Sequence, residues 1–275
     1  MAIITISRGT FSGGEALAKR LADRLGYQCI SREVILEAAT RYGVPADELA
    51  AAMERPPWFW ERVVGARTTH LVFVQAALCE HAREDRLVYH GHVGHLLLPG
   101  IAHVIRIRVI ADLEYRITVA MQTQNLSRKD ALASIEKVDK ERREWIRFLF
   151  DVEWEDPSLY DAVLNLSRMS LDTACDTVAH MTEQPEFTPS ATSVKAMHDL
   201  ALSSRVAAAL QRDARTWGAD LRTAADGGTV TISGTARFPG DEETIASVVR
   251  QVEGVKEVRC ELRSPVAPFT GLPVC

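Results

Sequence analysis

The start of the chain predicts a strand, a glycine-rich loop and a helix, and then a second strand. Ala2–Ile6 is a short run of apolar and β-branched residues, which is typical of a buried strand. The run breaks at Ser7–Gly14, after which apolar residues recur at helical spacing over Ala16–Leu25. Gly26 is placed to end that helix, and Tyr27–Ile30 predicts the second strand. The chain therefore opens with strands and helices in alternation.

The same alternation continues for most of the chain. Three further strands are predicted at Arg86–His90, Val104–Ile110 and Ala162–Asn165. Helical spacing predicts helices at Ser31–Ala38, Trp58–Arg83, Asp112–Thr123, Ser127–Phe150 and Leu171–Met181. Five short strands separated by helices indicate an α/β fold, in which a parallel five-stranded sheet carries helices on both faces.

A change of composition after this region predicts a boundary between two domains. Residues Glu183–Ser193 are rich in Gln, Pro, Thr and Ser and contain little that could be buried. We therefore assign residues 1–182 to a first domain, 183–196 to a linker and 197–263 to a small α+β domain. The elements predicted for the second domain are Asp199–Arg212, Asp220–Ala224, Gly228–Gly234, Asp241–Val252 and Val255–Leu262. Residues 264–275 contain three prolines, and we expect them to form a flexible tail.

Composition and charge exclude several classes of protein. The chain has 275 residues, of which 47% are hydrophobic and 25% charged, and this is the composition of an ordinary globular protein. Its net charge of -5 gives no general attraction to nucleic acid, so we expect no nucleic-acid partner. The most apolar run, Leu71–Cys79, is far shorter than the ~20 residues of a transmembrane helix. The start of the chain lacks the features of a signal peptide, so we expect a cytoplasmic protein.

The loop between the first strand and helix is a candidate phosphate-binding site. Gly9, Gly13 and Gly14 lie where backbone N–H groups and the amino terminus of a helix can surround phosphate oxygens. A tight turn between a strand and a helix also needs glycine for steric reasons alone. The loop by itself therefore leaves both interpretations open.

Two blocks of sequence, far apart and in order, resemble the cytidylate kinase-like proteins, a branch of the P-loop nucleoside monophosphate kinases. The first block is Ile4–Arg8 followed by Ser12–Gly14. The second block consists of Ile135–Arg142 and Trp154–Arg168, which are similar to the lid and the final strand of that family. The resemblance covers residues 1–182. It implies five parallel strands, ATP as the phosphoryl donor, Mg²⁺, and a pyrimidine nucleoside monophosphate, such as CMP or dCMP, as the acceptor substrate.

The resemblance also implies roles for particular residues. The donor phosphates would be held by Arg8, Gly9, Ser12, Gly13 and Gly14. Asp139, Arg142 and Arg143 would lie on the mobile lid as catalytic residues, and Arg142 would offer a rigid guanidinium fork to the transferred phosphate. The charge pattern of these three residues also fits a solvated helix face. Arg32, Gly91 and His92 would bind the acceptor, and no residue is assigned as a metal ligand.

The chain departs from the usual motifs at both nucleotide sites. Gly14 stands where a P-loop normally has Lys, and it is followed by Glu15 and Ala16 in place of Ser or Thr. The Gly-for-Lys exchange resembles the cytidylate kinase-like branch, but it removes one positive charge from the site. On the acceptor side, His92 stands where the family usually has Arg, and imidazole is a weaker phosphate ligand than guanidinium. Arg32 can compensate for that change.

Two other clusters have competing interpretations. His90, His92 and His95 can be interpreted as a metal site, although the run lacks a nearby carboxylate and is already explained as part of the acceptor loop. The aromatic group Trp58–Trp60 fits helix packing better than a platform on which a base would stack. The cysteines are odd in number, widely spread and without C-x-x-C spacing, so we expect free thiols.

The second domain resembles the BON domain over Met197–Leu262. The resemblance rests on Gly234, Gly254 and the alternating residues between them, although glycine turns and alternating strands also occur in other small α+β folds. The BON module is associated with binding phospholipids, other ligands or protein partners. We see no catalytic constellation in this domain, and we expect it to bind or to regulate.

Three functions are compatible with these features. The first is phosphoryl transfer from ATP to a nucleoside monophosphate. The second is a nucleotide-binding sensor with weak or no catalysis, in which the BON-like domain passes the signal to a partner. The third, a phospholipid-associated adaptor with a vestigial kinase fold, has the least support, because the first domain has no basic amphipathic face.

Overall fold

In a computed structural model, the structure describes residues 2–45, 66–91, 93–217, 219–236, 238 and 240–263. At 37, 38 and 66–70 only the backbone is described. His92, the aromatic group Trp58–Trp60 and the predicted tail 264–275 lie outside the described residues. Across the described ranges, we find no helix with both the length and the apolar character needed to cross a bilayer.

The described residues form two compact units, Met1–His198 and Asp199–Cys275. The first unit contains a five-stranded sheet in the order β2-β3-β1-β4-β5. All four neighbouring pairs of strands are parallel. The strands are β1 (Ile3–Arg8), β2 (Gln28–Ser31), β3 (Leu87–Gly91), β4 (Val104–Ile110) and β5 (Ala162–Asn165). The predicted parallel five-stranded sheet is therefore confirmed.

Seven described helices accompany this sheet. They are α1 (Gly14–Leu25), α2 (Arg32–Ala39), α3 (Ala66–Ala82), α4 (Gly94–Leu97), α5 (Leu113–Gln124), α6 (Arg128–Phe150) and α7 (Leu171–Met181). Their ends follow local sequence signals: α1 ends at Gly26, whose φ is 64°, and Ser127 caps α6 by accepting a hydrogen bond from the Asp130 amide. Ser170 caps α7 in the same way, through the Thr173 amide.

The two faces of the sheet differ in character. One face is apolar, because Ile4 and Ile6 of β1 pack with their neighbours against Leu17 and Leu21 of α1 and against Val178 of α7. The alternate positions of the same strands point to the other face.

The other face is polar toward the carboxyl ends of the strands. The register pairs Thr5 with Tyr89 and Arg106, and it pairs Ser7 with Arg108 and Gly91. Buried strands of parallel sheets are usually apolar on both faces, so polar groups at this end of the sheet indicate a functional region.

The second unit is a small α+β fold, as predicted. Its elements are the part of α8 (Ala191–Arg212) that begins at Asp199, followed by β6 (Asp220–Asp226), β7 (Thr229–Thr235), α9 (Asp241–Arg250) and β8 (Glu257–Arg263). Strand β7 lies between the other two, antiparallel to β6 and parallel to β8. Val206 of α8, Ile232 of β7 and Val249 of α9 are fully buried in its core.

Helix α8 begins at Ala191, earlier than the predicted start at Asp199. The reason is a reciprocal cap: the Ser193 amide donates to Ser190 Oγ at 3.1 Å, and the Ser190 amide donates to Ser193 Oγ at 2.9 Å. Met197, in the part of α8 before the predicted start, is 1% exposed, so burial of its side chain also stabilises this part of the helix. The end of the segment predicted as a linker is therefore helical. The predicted boundaries 1–182, 183–196 and 197–263 themselves stay predictions.

We expect Gly234→Ala to destabilise the second unit strongly. Gly234 has φ of 135°, and a Cβ atom there would overlap the backbone carbonyl of Asp220 on the paired strand β6. We expect a loss of about 3 kcal/mol in the free energy of unfolding, measured by hydrogen exchange of the β7 amides. Gly227→Ala is the matched control, because φ is 59° and no atom lies within 4 Å, so left-handed strain of about 1 kcal/mol is the whole cost. Equal losses in the two variants would contradict the steric argument.

Candidate functional site

A pocket of about 620 Å³ lies where the loop after β1 faces helices α5 and α6. One wall is the loop and the first turns of α1, and the opposite wall comes from Val119, Thr123 and Gln124 of α5 and from Arg142 of α6. In open parallel sheets, ligands bind at the carboxyl ends of the strands, and β1 ends at this pocket. The lining from the first wall is Arg8, Thr10, Phe11, Ser12, Gly13, Gly14, Glu15, Ala16 and Lys19.

Glycine is required at two positions of the loop, because a side chain at either one would overlap neighbouring atoms. Gly13 precedes α1 in a left-handed conformation with φ of 85°, and a Cβ atom there would lie 2.9 Å from Leu166 Cδ1. A Cβ atom on Gly14 would lie 2.7 Å from Arg8 Cβ. The backbone at the amino terminus of α1 therefore packs directly against these neighbours, and it also lines the pocket, where its N–H groups suit contact with phosphate oxygens.

Two polar residues from α5 and α6 fasten the middle of this loop. The Thr10 hydroxyl donates to Asp139 Oδ1 at 2.9 Å, and Arg116 Nη2 donates to Asp139 Oδ2 at 2.5 Å. Arg116 also donates through Nε to the carbonyl of Thr10 at 2.6 Å. Both oxygens of Asp139 are thus engaged in holding the loop, so its position fits a residue that orders the site.

Phe11 provides an apolar connection between the same elements. Its φ is 57°, which is uncommon for a residue with a side chain. The ring packs against the cluster that Ile117 of α5 forms with Ala131 and Ile135 of α6. Burial of the ring compensates for the left-handed backbone, and it couples the loop to the two helices that face it.

Arg142 is the residue of α6 that reaches the pocket. Its Nη1 donates to the carbonyl of Arg8 at 3.0 Å, and its guanidinium lies 5.2 Å from the centre of the Trp154 ring. Burial lowers the pKa of Arg142 to about 9, while the nearby Asp139 acts in the opposite direction. The group is still protonated at neutral pH and brings one positive charge to the loop after β1.

The structure does not bring Arg143 to the pocket. Its guanidinium lies 3.7 Å from the carboxylate of Glu155, and its side chain is about half exposed. Consecutive residues on a helix point about 100° apart, so Arg142 and Arg143 cannot both face the loop. Arg142 and Asp139 are therefore together at the loop, whereas Arg143 is on another side of α6.

Arg142 lies against Trp154, and a buried cluster of polar groups holds Trp154 in place. The indole N–H of Trp154 donates to Ser7 Oγ on β1 at 2.8 Å. Arg108 of β4 donates to the carbonyl of Trp154 at 2.7 Å, and its guanidinium lies 4.3 Å from the centre of the same ring. Tyr160 donates to that carbonyl as well, at 2.8 Å. Trp154 is therefore held through both its indole N–H and its backbone carbonyl, which keeps its ring in place beside Arg142.

The predicted acceptor residues lie at the neighbouring strand ends. Arg32 begins α2 directly after β2, and its Nη2 lies 3.3 Å from the Glu33 carboxylate. Gly91 ends β3, and a Cβ atom there would overlap the Tyr89 hydroxyl. Both residues are at the carboxyl end of the sheet, as the loop is. His92, the third predicted acceptor residue, lies outside the described residues.

The described residues fit a nucleotide phosphate better than a metal held by protein alone. In the described parts of the chain, no group of three His, Cys, Asp or Glu side chains could hold a metal ion. Ser12 Oγ is buried without a hydrogen-bond partner in these parts, so it is a ready contact for a phosphate or its Mg²⁺. Glu15 also faces the pocket, and its hydrogen bond from Lys19 at 2.8 Å lowers the pKa of its carboxyl group.

We expect His95 to make the first unit sensitive to acid. Burial, together with Arg106 and Arg108, lowers the pKa of His95 to about 4. The unfolded chain therefore binds a proton that the folded chain does not, so stability falls as pH falls from about 6.5 to 4. His95→Phe should flatten the slope of unfolding free energy against pH by up to about 1.4 kcal/mol per pH unit in this range, measured by urea unfolding.

His180 provides the control for this prediction. It is also a histidine of the first unit, but its side chain is 73% exposed. A change of slope in His95→Phe that is no larger than the change in His180→Phe would argue against the buried site as its source. A His95→Phe variant whose stability declines just as steeply between pH 6.5 and 4 would show that other groups cause the acid sensitivity.

Several residues of the site were missed by sequence reasoning. Arg116 and Thr10 belong to no recognisable sequence motif. Their role is seen only in the hydrogen bonds that join α5 to the loop. Arg108 belongs to the strand whose basic and apolar residues alternate, and that alternation was a signal that one face of β4 is polar. Trp154 and Tyr160 lie within the second resembling block, but their contact with Ser7 spans 147 and 153 positions in sequence.

Comparison with known proteins gives matches to both parts of the chain. A family model described as cytidylate kinase-like matches residues 3–168, and a BON domain model matches residues 198–264. The cytidylate kinase of Ignicoccus hospitalis is 27% identical over 184 residues, which are 66% of this chain and 99% of that protein. The cytidylate kinase of Methanopyrus kandleri is 26% identical over 171 residues, which are 62% of this chain and 87% of that protein.

A solved structure shares the fold of the first unit. A crystal structure of an uncharacterized protein from Eubacterium ventriosum aligns with a TM-score of 0.51 and 22% sequence identity. The alignment covers 67% of this chain and 99% of that one.

Proposed function

Because this chain belongs to the cytidylate kinase-like family and carries a BON domain, we propose that its first domain transfers a phosphoryl group from ATP to a nucleoside monophosphate. The observation that supports this proposal most directly is the pocket in which the glycine loop faces Arg142. Phosphoryl transfer depends mainly on positioning and on neutralising charge, and this arrangement supplies a backbone cradle and a buried cation.

Each residue of the pocket has a part in this proposal. Gly13 and Gly14 present backbone N–H groups to the donor phosphates, with Ser12 and Arg8 at the edges. The Gly9 amide instead donates to the carbonyl of Val109 at 3.2 Å, so Gly9 anchors the start of the loop on β4. Arg142 neutralises negative charge that develops on the transferred group. Asp139 orients the loop through Thr10 and Arg116. Mg²⁺, which lowers the charge repulsion between phosphates when bound, would be held mostly by phosphate oxygens, with Ser12 or Glu15 as the nearest protein ligands.

We propose a pyrimidine nucleoside monophosphate, CMP or dCMP, as the acceptor. The names of the two archaeal relatives support this choice, and Arg32, Gly91 and His92 would contact the acceptor. The guanidinium of Arg32 is the strongest phosphate ligand among these three residues.

A coupled assay of ADP release tests the proposal. The purified full chain would be given ATP, Mg²⁺ and one of CMP, dCMP, UMP, AMP or GMP, and calorimetry would measure binding of the same nucleotides. We expect turnover with CMP or dCMP. Gly14→Ala serves as the loss-of-function control, because its Cβ atom would lie 2.7 Å from Arg8 Cβ and displace the loop. Turnover that persists in this variant would indicate a contaminating kinase.

A second function has specific support in the same pocket. The loop lacks the usual Lys and Ser or Thr, and in their place Glu15 brings a negative charge that is paired with Lys19. These features favour a nucleotide sensor that binds without turnover and signals through the BON domain. Tight binding of ATP or a monophosphate, with no ADP release in any mixture, would favour the sensor over the kinase.

We propose that the BON domain binds a ligand, a phospholipid or a protein partner. Flotation of the full chain with vesicles of anionic phospholipid tests whether a phospholipid is the partner. A chain that stays in the bottom fraction at low salt has no affinity for such a surface. This outcome would leave soluble ligands and proteins as the partners of the domain.

A further inference from the structure

The hydroxyl of Tyr89 is a buried polar group that has no hydrogen-bond partner in the part of the chain that the structure describes. Tyr89 lies on β3 and is 1% exposed. No donor or acceptor from the described ranges lies within hydrogen-bonding distance of its hydroxyl oxygen. Such an orphaned hydroxyl costs free energy in the folded protein, and a ligand that hydrogen-bonds to it would remove that cost.

Two glycines allow the ring to lie along the strand. A Cβ atom on Gly91 would overlap the hydroxyl and the end of the ring, and a Cβ atom on Gly94 would overlap the middle of the ring. The side chain therefore runs from Tyr89 toward Gly91, and it delivers the hydroxyl to the last residue of β3. This placement puts the hydroxyl at the carboxyl edge of the sheet.

The register of the sheet relates this hydroxyl to the phosphate loop. Gly91 pairs with Ser7 of β1, and the loop begins two residues later at Gly9. The charged side chains that influence the hydroxyl are Arg32, Glu33 and Arg8. The hydroxyl is thus within the electrostatic reach of the arginine that ends β1 and of the arginine that begins α2.

Two neighbouring polar atoms are orphaned as well. His90 Nδ1 and Arg8 Nε are buried, and neither has a partner within the described parts of the chain. His90 is 4% exposed, and it is adjacent to Tyr89 on the strand that pairs with β1. Side chains alternate between the two faces of a strand, so His90, which pairs with Ile6, lies on the α1 face with Arg8, whereas Tyr89 lies on the other face. A ligand is therefore indicated by the Tyr89 hydroxyl itself.

We propose that the Tyr89 hydroxyl binds the phosphate group of the acceptor nucleotide. The inference rests on the function proposed above and adds a phosphate ligand to its acceptor site. The phosphate is the part of the acceptor that must approach the donor loop, since its oxygen attacks the transferred group in line. Burial raises the pKa of Tyr89 well above its usual range, so the group keeps its proton and can donate it in a hydrogen bond.

Calorimetric titration of the full chain with CMP, dCMP, UMP, AMP and GMP tests the inference, with Tyr89→Phe as the variant. We expect Tyr89→Phe to raise the dissociation constant of the monophosphates that bind by about tenfold. The factor should be the same for each of them, because the phosphate is common to all. The affinity for ATP and the melting temperature of the free protein should not fall, because the hydroxyl has no partner among the described residues. Tyr27→Phe is the control, since Tyr27 precedes β2 at the opposite end of the sheet and its loss should not change nucleotide affinity.

The outcomes separate this inference from the proposed function. If the unmodified chain phosphorylates a monophosphate and Tyr89→Phe binds it equally well, the inference is wrong and the proposed function stands. If Tyr89→Phe loses affinity for one base and not for others, the hydroxyl contacts the base, and the phosphate assignment is wrong. A chain that neither binds nor phosphorylates any of the five monophosphates overturns both.

Discussion

Arg142→Ala is expected to lower the turnover number by about 10²–10³. The variant removes the buried guanidinium that faces the phosphate loop and donates to the Arg8 carbonyl. This charge matters most when negative charge builds on the transferred group, so turnover should fall far more than affinity for ATP. Steady-state kinetics with ATP and the preferred monophosphate, together with calorimetry of ATP binding, measure the two effects separately.

Two variants control the Arg142 experiment. Arg143→Ala removes an arginine from the adjacent position of the same helix, where the partner is Glu155 and not the loop, and it should stay within about threefold of the unmodified chain. Arg142→Lys keeps the charge but loses the planar fork, and it should restore only part of the activity. Equal losses of turnover and ATP affinity in Arg142→Ala would contradict a role in the transition state. A large loss in Arg143→Ala would show that α6 rearranges to bring that residue to the pocket.

The sequence predicts the framework of this site because its signals are local. The apolar runs that become β1 and β4, the glycines before α1 and the serine caps of the helices each depend on a few neighbouring residues. Two blocks of residues in the correct order were enough to identify the family, which implies five parallel strands. The loop after β1 and Arg142 both lie within those blocks, so the resemblance assigns them to the same site.

The remaining features could not be predicted because they depend on contacts between distant residues. Nothing local distinguishes Arg142 from Arg143, and only the direction from which α6 meets the loop decides which one enters the pocket. Arg116 acts through a carboxylate on another helix, Asp139. The lack of a partner for the Tyr89 hydroxyl can be recognised only from the three-dimensional positions of the described residues around it. Such features follow from tertiary packing, which sequence patterns do not describe.

Trp154→Ala is expected to lower the free energy of unfolding of the first unit by about 3–5 kcal/mol. Trp154 is 2% exposed, donates to Ser7 Oγ at 2.8 Å and lies under the guanidinium of Arg108. Truncation leaves a large cavity, deprives the Ser7 hydroxyl of a donor and removes the ring that covers a buried cation. Hydrogen exchange of the β1 and β4 amides measures this local loss of stability.

Replacement by phenylalanine separates the packing of Trp154 from its hydrogen bond. Trp154→Phe keeps an aromatic face for Arg108 and Arg142 but removes the indole N–H, and it should cost about 1–2 kcal/mol. Because Arg142 lies 5.2 Å from the centre of this ring, Trp154→Ala should also reduce turnover in the fraction that remains folded, whereas Trp154→Phe should retain most of it. Trp217→Ala, at a side chain that is 52% exposed in the second unit, should leave the exchange of β1 and β4 unchanged. If Trp154→Ala lowers stability and yet its folded fraction turns over normally, Trp154 contributes to the core of the unit without positioning Arg142.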